Sequence, residues 1–293
     1  MTGKLCEHMG TRQTESGYKE ASRYLDKVEL LSRMAREEAI EKKDLKETLD
    51  ASESTVHRKL NTLIQDGLAE RKSHGEYALT ATGEEVTREL ERFRDGVSKV
   101  KELSTVIESA DTHGVEFDPE PFKSGVVAPL TPKNPYEPGR RCLEVFRETD
   151  ELRLLVVSTA TPRFWKEKQR LVSEGRETEI VCPESVVEAS LDTVSRDIVG
   201  GLVRNMDIRV HDDVPFSIAL FDERVGVGGH GGDGKLEVFA DTDDEDAYEW
   251  GERVYERYRR ESDPMFERFD AEEVFDRLGF EGQQVANEVY ADG

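Results

Sequence analysis

Apolar residues at Tyr24, Leu25, Val28, Leu30, Leu31 and Met34 recur with a helical period, which predicts a first helix over Ser22–Arg36. A shorter helix follows over Lys43–Leu49, with Leu45 and Leu49 on one face. After the turn Asp50–Glu53, the positions Val56, Leu60, Leu63 and Ile64 mark the inward side of a third helix. Ser52 and Ser54 are suited to cap its start, and Gly67 to stop it after Asp66. Residues 67–79 then alternate apolar and polar around Ser73-His74-Gly75, the pattern of a hairpin with a glycine-containing tip.

Beyond the hairpin, the stretch from Ala81 to Ser109 has no proline and an apolar residue every three or four positions. Written as heptads, Val86, Phe93, Val100 and Ile107 take one seam position, and Leu90, Val97 and Ser104 the other. A long dimerisation helix over 81–110 is expected, although Gly96 weakens it by about 1 kcal/mol relative to Ala. Six of the ten prolines fall between Asp111 and Pro138, so 111–137 reads as a linker. Strand and helix patterns then alternate through 138–263: helix 139–149, strand 152–158, helix 162–173, strand 179–182, helix 184–204, strand 207–211. A hairpin (216–221 and 225–229), a strand (235–240) and an amphipathic helix (243–261) complete the domain. This alternation predicts a sheet with helices packed on it, and the whole chain an α+β protein. Residues 264–293 read as a helical tail with apolar Phe266, Phe269, Val274, Phe275 and Leu278; 1–19 and the last ten residues are expected to be disordered.

Charge changes this picture most. The 293 residues hold 41 Lys+Arg against 64 Asp+Glu, a net charge of −23. Strand-forming runs such as Leu152–Ser158 and Phe216–Phe221 argue against acidic disorder. With 26 Arg, only 15 Lys and an excess of carboxylates, the composition resembles that of proteins from salt-loving archaea. The acid is unevenly placed: residues 1–80 are at −1, residues 81–293 at −22. Near-neutrality in such a chain is what a nucleic-acid-binding surface requires, because cations must gather to meet phosphates. No apolar run of membrane-spanning length occurs and the first residues lack a secretory core, so a cytoplasmic protein is expected. Cys6, Cys142 and Cys182 are scattered, which excludes a disulfide scaffold and a four-cysteine zinc site.

The outer face of the third helix carries Ser54, Arg58, Asn61 and Thr62, flanked by Thr55, His57 and Lys59, without a carboxylate. Arg71, Lys72 and His74 sit on the hairpin. The order Ser52-Glu-Ser-Thr-Val-His-Arg-Lys-Leu60, Leu63-Ile-Gln-Asp-Gly-Leu68 and Leu79-Thr-Ala-Thr-Gly83 resembles archaeal and bacterial winged-helix regulators over residues 20–85. The resemblance implies a winged helix-turn-helix over 20–80 whose third helix enters the DNA major groove while the hairpin touches the backbone. Arginine can reach guanine and asparagine adenine, so the ten residues named above are the candidate DNA contacts.

In the C-terminal half, three features suggest chemistry. Gly229–Lys235 fits G-x-x-x-x-G-K, but Leu236 follows and a strand continues, where a phosphate loop would open a helix. His211-Asp-Asp213 lies at a strand end and is a poor metal set. The run Ser158–Arg163, at the carboxyl end of a strand, is the candidate effector site through Ser158, Thr159, Thr161 and Arg163. The segments Asp222–Val227, Glu237–Asp244 and Ala247–Arg259 resemble the regulatory domain of archaeal methanogenesis-regulatory-type proteins over residues 120–263. That resemblance implies an effector domain of phospholipase-D-like fold; where the fold is catalytic it needs H-x-K, whereas His230 and Lys235 are five apart. The expectation is therefore a homodimeric, DNA-binding regulator that senses a small molecule or partner, with no catalysis, metal or cofactor. The alternatives are a phosphodiesterase-like enzyme with a winged-helix interaction module, and an interaction protein without DNA affinity.

Overall fold

The computed structural model describes residues 19–278 apart from 20, 73–74, 160–161, 176–177 and 194–205. Contacts divide the chain into two units, Met1–Ser98 and Lys99–Gly293.

In the first unit, helical residues 21–25 precede α1 (Val28–Met34), β1 (Ile40–Glu41), α2 (Lys42–Thr48), α3 (Glu53–Gln65), β2 (Ala69–Arg71), β3 (Glu76–Leu79) and α4 (Ala81–Glu102). The single first helix of the sequence reading is interrupted by a turn at Asp26-Lys27. That break lets the neighbours Leu30 and Leu31 both bury in the core with Met34, while Leu25 stays exposed. Ser52 caps α3 by accepting the Thr55 N–H at 3.2 Å. Gly67 takes φ 72°, a left-handed conformation suited to glycine, and the Leu68 N–H returns to the Leu63 carbonyl at 2.8 Å. Strand β1 is not foreseen by the sequence, being too short for an alternating pattern to show. Its Ile40 and Glu41 pair with Tyr77 and Glu76, giving a three-stranded antiparallel sheet in the order β1-β3-β2. Val56, Leu60 and Leu63 of α3 bury against Leu45, Tyr77 and Leu90.

The long helix differs from expectation. α4 ends at Glu102, Leu103 turns, and α5 (Ser104–Thr112) starts afresh. The heptad seam is divided accordingly. Leu90 belongs to the N-terminal core, with Val86 packed on it, while Leu103, Val106 and Ile107 belong to the core of the second unit. What remains unburied is Phe93 at 58% and Val97 at 43% exposure.

The second unit continues with α6 (Glu120–Ser124), β4 (Val126–Pro129), α7 (Glu137–Glu148), β5 (Leu152–Leu155), α8 (Pro162–Ser173), β6 (Thr178–Cys182), α9 (Glu184–Thr193) and β7 (Asp207–Val210). It ends with β8 (Ser217–Phe221), β9 (Arg224–His230), β10 (Leu236–Thr242), α10 (Glu245–Glu261), β11 (Asp263–Pro264), α11 (Met265–Arg268) and α12 (Ala271–Arg277). Eight strands form one mixed sheet, ordered β11-β7-β6-β5-β8-β9-β10-β4. β5, β6 and β7 run parallel, joined through α8 and α9; the remaining pairings are antiparallel. Because side chains alternate along a strand, the two faces divide cleanly. Leu154, Ile180, Ala219 and Phe239 meet α7, α8 and α9 on one side. Leu155, Val181, Ile218 and Val238 meet α5, α6 and α10 on the other. The stretch read as a linker is part of this domain: Phe122 is buried in the core and β4 pairs with β10 as an edge strand. Its prolines fit an edge strand, where a missing N–H can face away from the ladder. Met265, Val274, Phe275 and Leu278 of the tail are also buried. The chain is α+β, and no helix among the described residues is long and apolar enough to cross a membrane.

Candidate functional site

Two surfaces gather the sequence candidates, one in each unit. The first is the outer face of α3, which the buried row Val56, Leu60 and Leu63 turns outward. Ser54, His57, Arg58 and Asn61 are exposed there, and Thr55, Lys59 and Thr62 are half-buried at its margins. The Ser52 hydroxyl lies 2.9 Å from those of Ser54 and Thr55, so these hydroxyls form a cluster around the helix start. Asn61 Nδ2 is 3.1 Å from His57 Nε2, one turn apart, and Thr62 donates to the Arg58 carbonyl at 3.1 Å. The Arg58 guanidinium has no hydrogen bond or ion pair among the described residues and is free to meet a ligand. The one carboxylate at the helix start, Glu53, is paired with Lys42 at 3.0 Å, and that hydrogen bond and charge hold it below the usual carboxylate range.

Lys59 departs from this group. Its ammonium donates to the Asp26 carbonyl and lies 3.9 Å from the Asp26 carboxylate, so it ties α3 to the preceding turn. On the hairpin, Arg71 lies over the Tyr77 ring at 5.6 Å and Lys72 pairs with Glu70 at 2.5 Å, both exposed. His74 lies outside the described residues.

The second surface is a cavity of about 520 Å³ in the C-terminal unit, between β5, β8, β9 and the helices α7 and α8. Its walls are mostly apolar, with Leu143, Phe146, Leu154, Phe164, Leu236 and Phe239 prominent. Ser158, Thr159 and Arg163 of the predicted effector run lie in the lining; Thr161 is outside the described residues. The Ser158 hydroxyl donates to the Gly234 carbonyl at 2.9 Å, holding the β9–β10 turn against the cavity. Gly228 keeps the floor open: a Cβ there would come within 2.9 Å of Leu236 and 3.2 Å of Ser217.

Two cavity residues were not foreseen. Lys168 is almost completely buried, and its ammonium lies 4.7 Å above the Trp165 ring. Burial lowers its pKa to about 8, so it is still mostly protonated at neutral pH. His230 has a buried Nδ1 with no hydrogen-bond partner among the described residues, and burial pushes its pKa down to about 4, leaving the ring neutral. A signal for Lys168 was present in the sequence: it stands in the apolar stripe Phe164, Trp165, Leu171 of α8, where a core residue is the rule.

The remaining motifs resolve structurally. Gly229–Lys235 is the turn of an antiparallel hairpin, closed by Gly231 N–H to Lys235 carbonyl at 2.9 Å, with Lys235 paired to Asp233. His211, Asp212 and Asp213 diverge: Asp212 meets Arg268 at 2.6 Å and Asp213 meets His113 at 3.2 Å. No group of three ligating side chains that could hold a metal occurs among the described residues.

Residues 19–102 match the family described as HVO_A0261 N-terminal domain, and residues 135–261 the family described as methanogenesis regulatory protein FilR1, middle domain. No curated protein matches the chain. Among solved structures, similarity extends to TrmBL2, an archaeal chromatin protein, at 12% identity over 81% of this chain and 92% of that one, with a TM-score of 0.38. NucT from Helicobacter pylori is 12% identical over 48% of this chain and 98% of its own, with a TM-score of 0.39. Nuc from Salmonella typhimurium, a phospholipase D family member, is 13% identical over 47% and 95%, also with a TM-score of 0.39. Residues 19–102 are thus similar to the HVO_A0261 N-terminal-domain family and residues 135–261 to the FilR1 middle-domain family, and the two matches together support an archaeal transcriptional regulator.

Proposed function

We propose that the chain is a homodimeric, cytoplasmic transcription regulator that binds promoter DNA through α3 as the recognition helix of a winged helix-turn-helix. In this reading the C-terminal domain, of phospholipase-D-like fold, senses a small molecule and does no catalysis. The observation that carries the DNA reading is the outer face of α3, where an unpaired Arg58 stands among hydroxyls and an amide in a protein of charge −23. Solvated faces of so acidic a protein carry Glu and Asp; this one has the donors that phosphates and base edges accept from. Ser54, Thr55, His57, Arg58, Asn61 and Thr62 are the proposed helix contacts, with Arg71, Lys72 and His74 on the flanking backbone. Lys59 serves through its tie to Asp26, by fixing the angle of α3.

Support for a sensing role is the cavity itself, which is of small-molecule size and mostly apolar. A mobility-shift series across operator variants tests the DNA reading. Arg58→Ala should weaken specific binding by ~1–3 kcal/mol and relax discrimination at one base position. Unchanged affinity and unchanged sequence preference would overturn the assignment of α3.

A further inference from the structure

We infer that the cavity of the C-terminal domain takes an organic anion with an apolar body, its negative group held by Lys168. The inference deepens the sensing role proposed above and rests on it for its physiological use.

Three observations converge on this ligand class. The volume, about 520 Å³, and the largely apolar walls are those of a small-molecule site. The charges are one-sided: among the described residues Arg140, Arg163, Lys168 and Lys235 line the cavity, and no Asp or Glu does. In a chain with 64 acidic residues against 41 basic ones, a lining that excludes every carboxylate is selective. The four cations are also not equivalent. Arg140 is neutralised by Glu137 and Glu144, and Lys235 by Asp233, all near the surface. Arg163 is exposed and unpaired among the described residues.

Lys168 is different from all three. It is 3% exposed, and the contact described for its ammonium is the Trp165 ring rather than a carboxylate. A cation over an aromatic face recovers only part of the hydration lost on burial. A core lysine of purely structural use would be expected to reach solvent along its stem or to meet an acid. Lys168 meets no acid among the described residues, and it lines the cavity. A carboxylate or sulfonate entering beside it would supply the missing counter-charge, while the phenyl and leucyl walls would cover a hydrocarbon body. Neutral His230, with its unpartnered Nδ1, offers one further hydrogen bond.

The same chemistry disfavours other occupants. Metal ions find cations and no carboxylates. Polyhydroxylated sugars need more hydrogen-bonding side chains than these walls provide, and polyphosphates more than one buried cation.

The test uses the full chain with 8-anilinonaphthalene-1-sulfonate as a fluorescent probe, and decanoate or decanol as competitors of equal length and different charge. The expected result is one probe bound per chain, displaced by decanoate at concentrations at least tenfold below those needed for decanol. Lys168→Met should weaken probe binding at least tenfold and abolish the preference for decanoate, with an unchanged near-ultraviolet circular dichroism spectrum. Equal competition by decanoate and decanol in the parent chain would overturn the inference, and this arm holds even if the variant does not fold. So would undiminished, anion-selective binding by a folded Lys168→Met chain. A separate shift assay with decanoate bound addresses sensing alone: altered operator affinity supports it. Unaltered affinity overturns the sensing role and leaves the anion site standing.

Discussion

Replacing Lys168 by methionine should stabilise the C-terminal domain, an uncommon outcome for a buried substitution. Methionine fills nearly the volume of the lysine stem, so the principal change is removal of a charge from an apolar setting. The size follows from the ammonium itself, which burial pulls from its ordinary 10.5 down to about 8, against a smaller opposing effect of the Cys182 and Cys142 thiols. Those thiols are themselves pushed up to about 12 and stay protonated across the range that matters. Since the unfolded chain holds the Lys168 proton more tightly, protonation favours unfolding. The penalty is present in full below pH 8, shrinks between 8 and 10.5, and is absent above; at ~1.4 kcal/mol per tenfold it reaches about 3 kcal/mol at neutral pH. Urea unfolding followed by tryptophan fluorescence reports this domain alone, because both tryptophans, Trp165 and Trp250, belong to it. The variant should exceed the parent by about 3 kcal/mol at pH 7 and by roughly 1 kcal/mol at pH 9.5. Tyr255, whose hydroxyl burial pushes well above the ordinary tyrosine range, is common to both chains and cancels in the difference. Equal stability at pH 7, or a difference that does not shrink on raising the pH, would refute the view of Lys168 as an unpaired buried cation.

Three further outcomes are expected. Phe93→Glu with Val97→Glu should convert the proposed dimer to monomer in sedimentation, because these are the exposed apolar seam positions of α4; an unaltered dimer would place the interface elsewhere. In rising salt the full chain should lose operator affinity less steeply than residues 1–98, whose own cations would follow a slope of about −0.9 per neutralised phosphate. Screening of the acidic domain's repulsion opposes counterion release, and parallel slopes with native circular dichroism would show those acids to be too distant to matter. Asp241→Ala should lower stability by about 3 kcal/mol, since the fully buried carboxylate holds Arg141 at 2.7 and 2.8 Å and Arg224 at 2.6 Å; an unchanged urea midpoint would contradict this.

Local pattern alone was enough for most elements of this protein. The Ser52 cap, the buried row Val56, Leu60 and Leu63, and the stop at Gly67 are all set within the stretch 52–67, so α3 and its outward face are legible without a structure. The alternation of β5, α8, β6, α9 and β7 is legible for the same reason. Single-strand patterns do not reveal pairing partners. The partnership of β4 with β10, which turns a proline-rich stretch into an edge strand, joins segments about a hundred residues apart. The division of the heptad seam is likewise tertiary: the same apolar spacing serves a coiled coil or two separate cores, and only packing shows that Leu90 and Ile107 go to different ones. Lys59 illustrates this at the scale of one side chain, since its place on α3 follows from periodicity but its contact with Asp26 follows from the fold. The cavity depends on the tertiary structure most completely. Lys168, His230 and Ser158 come from a helix, a strand and a loop, and no spacing rule relates them. Sequence supplied an oddity, a lysine in an apolar stripe. The closing of α7 and α8 over the sheet made it a buried charge beside the cavity.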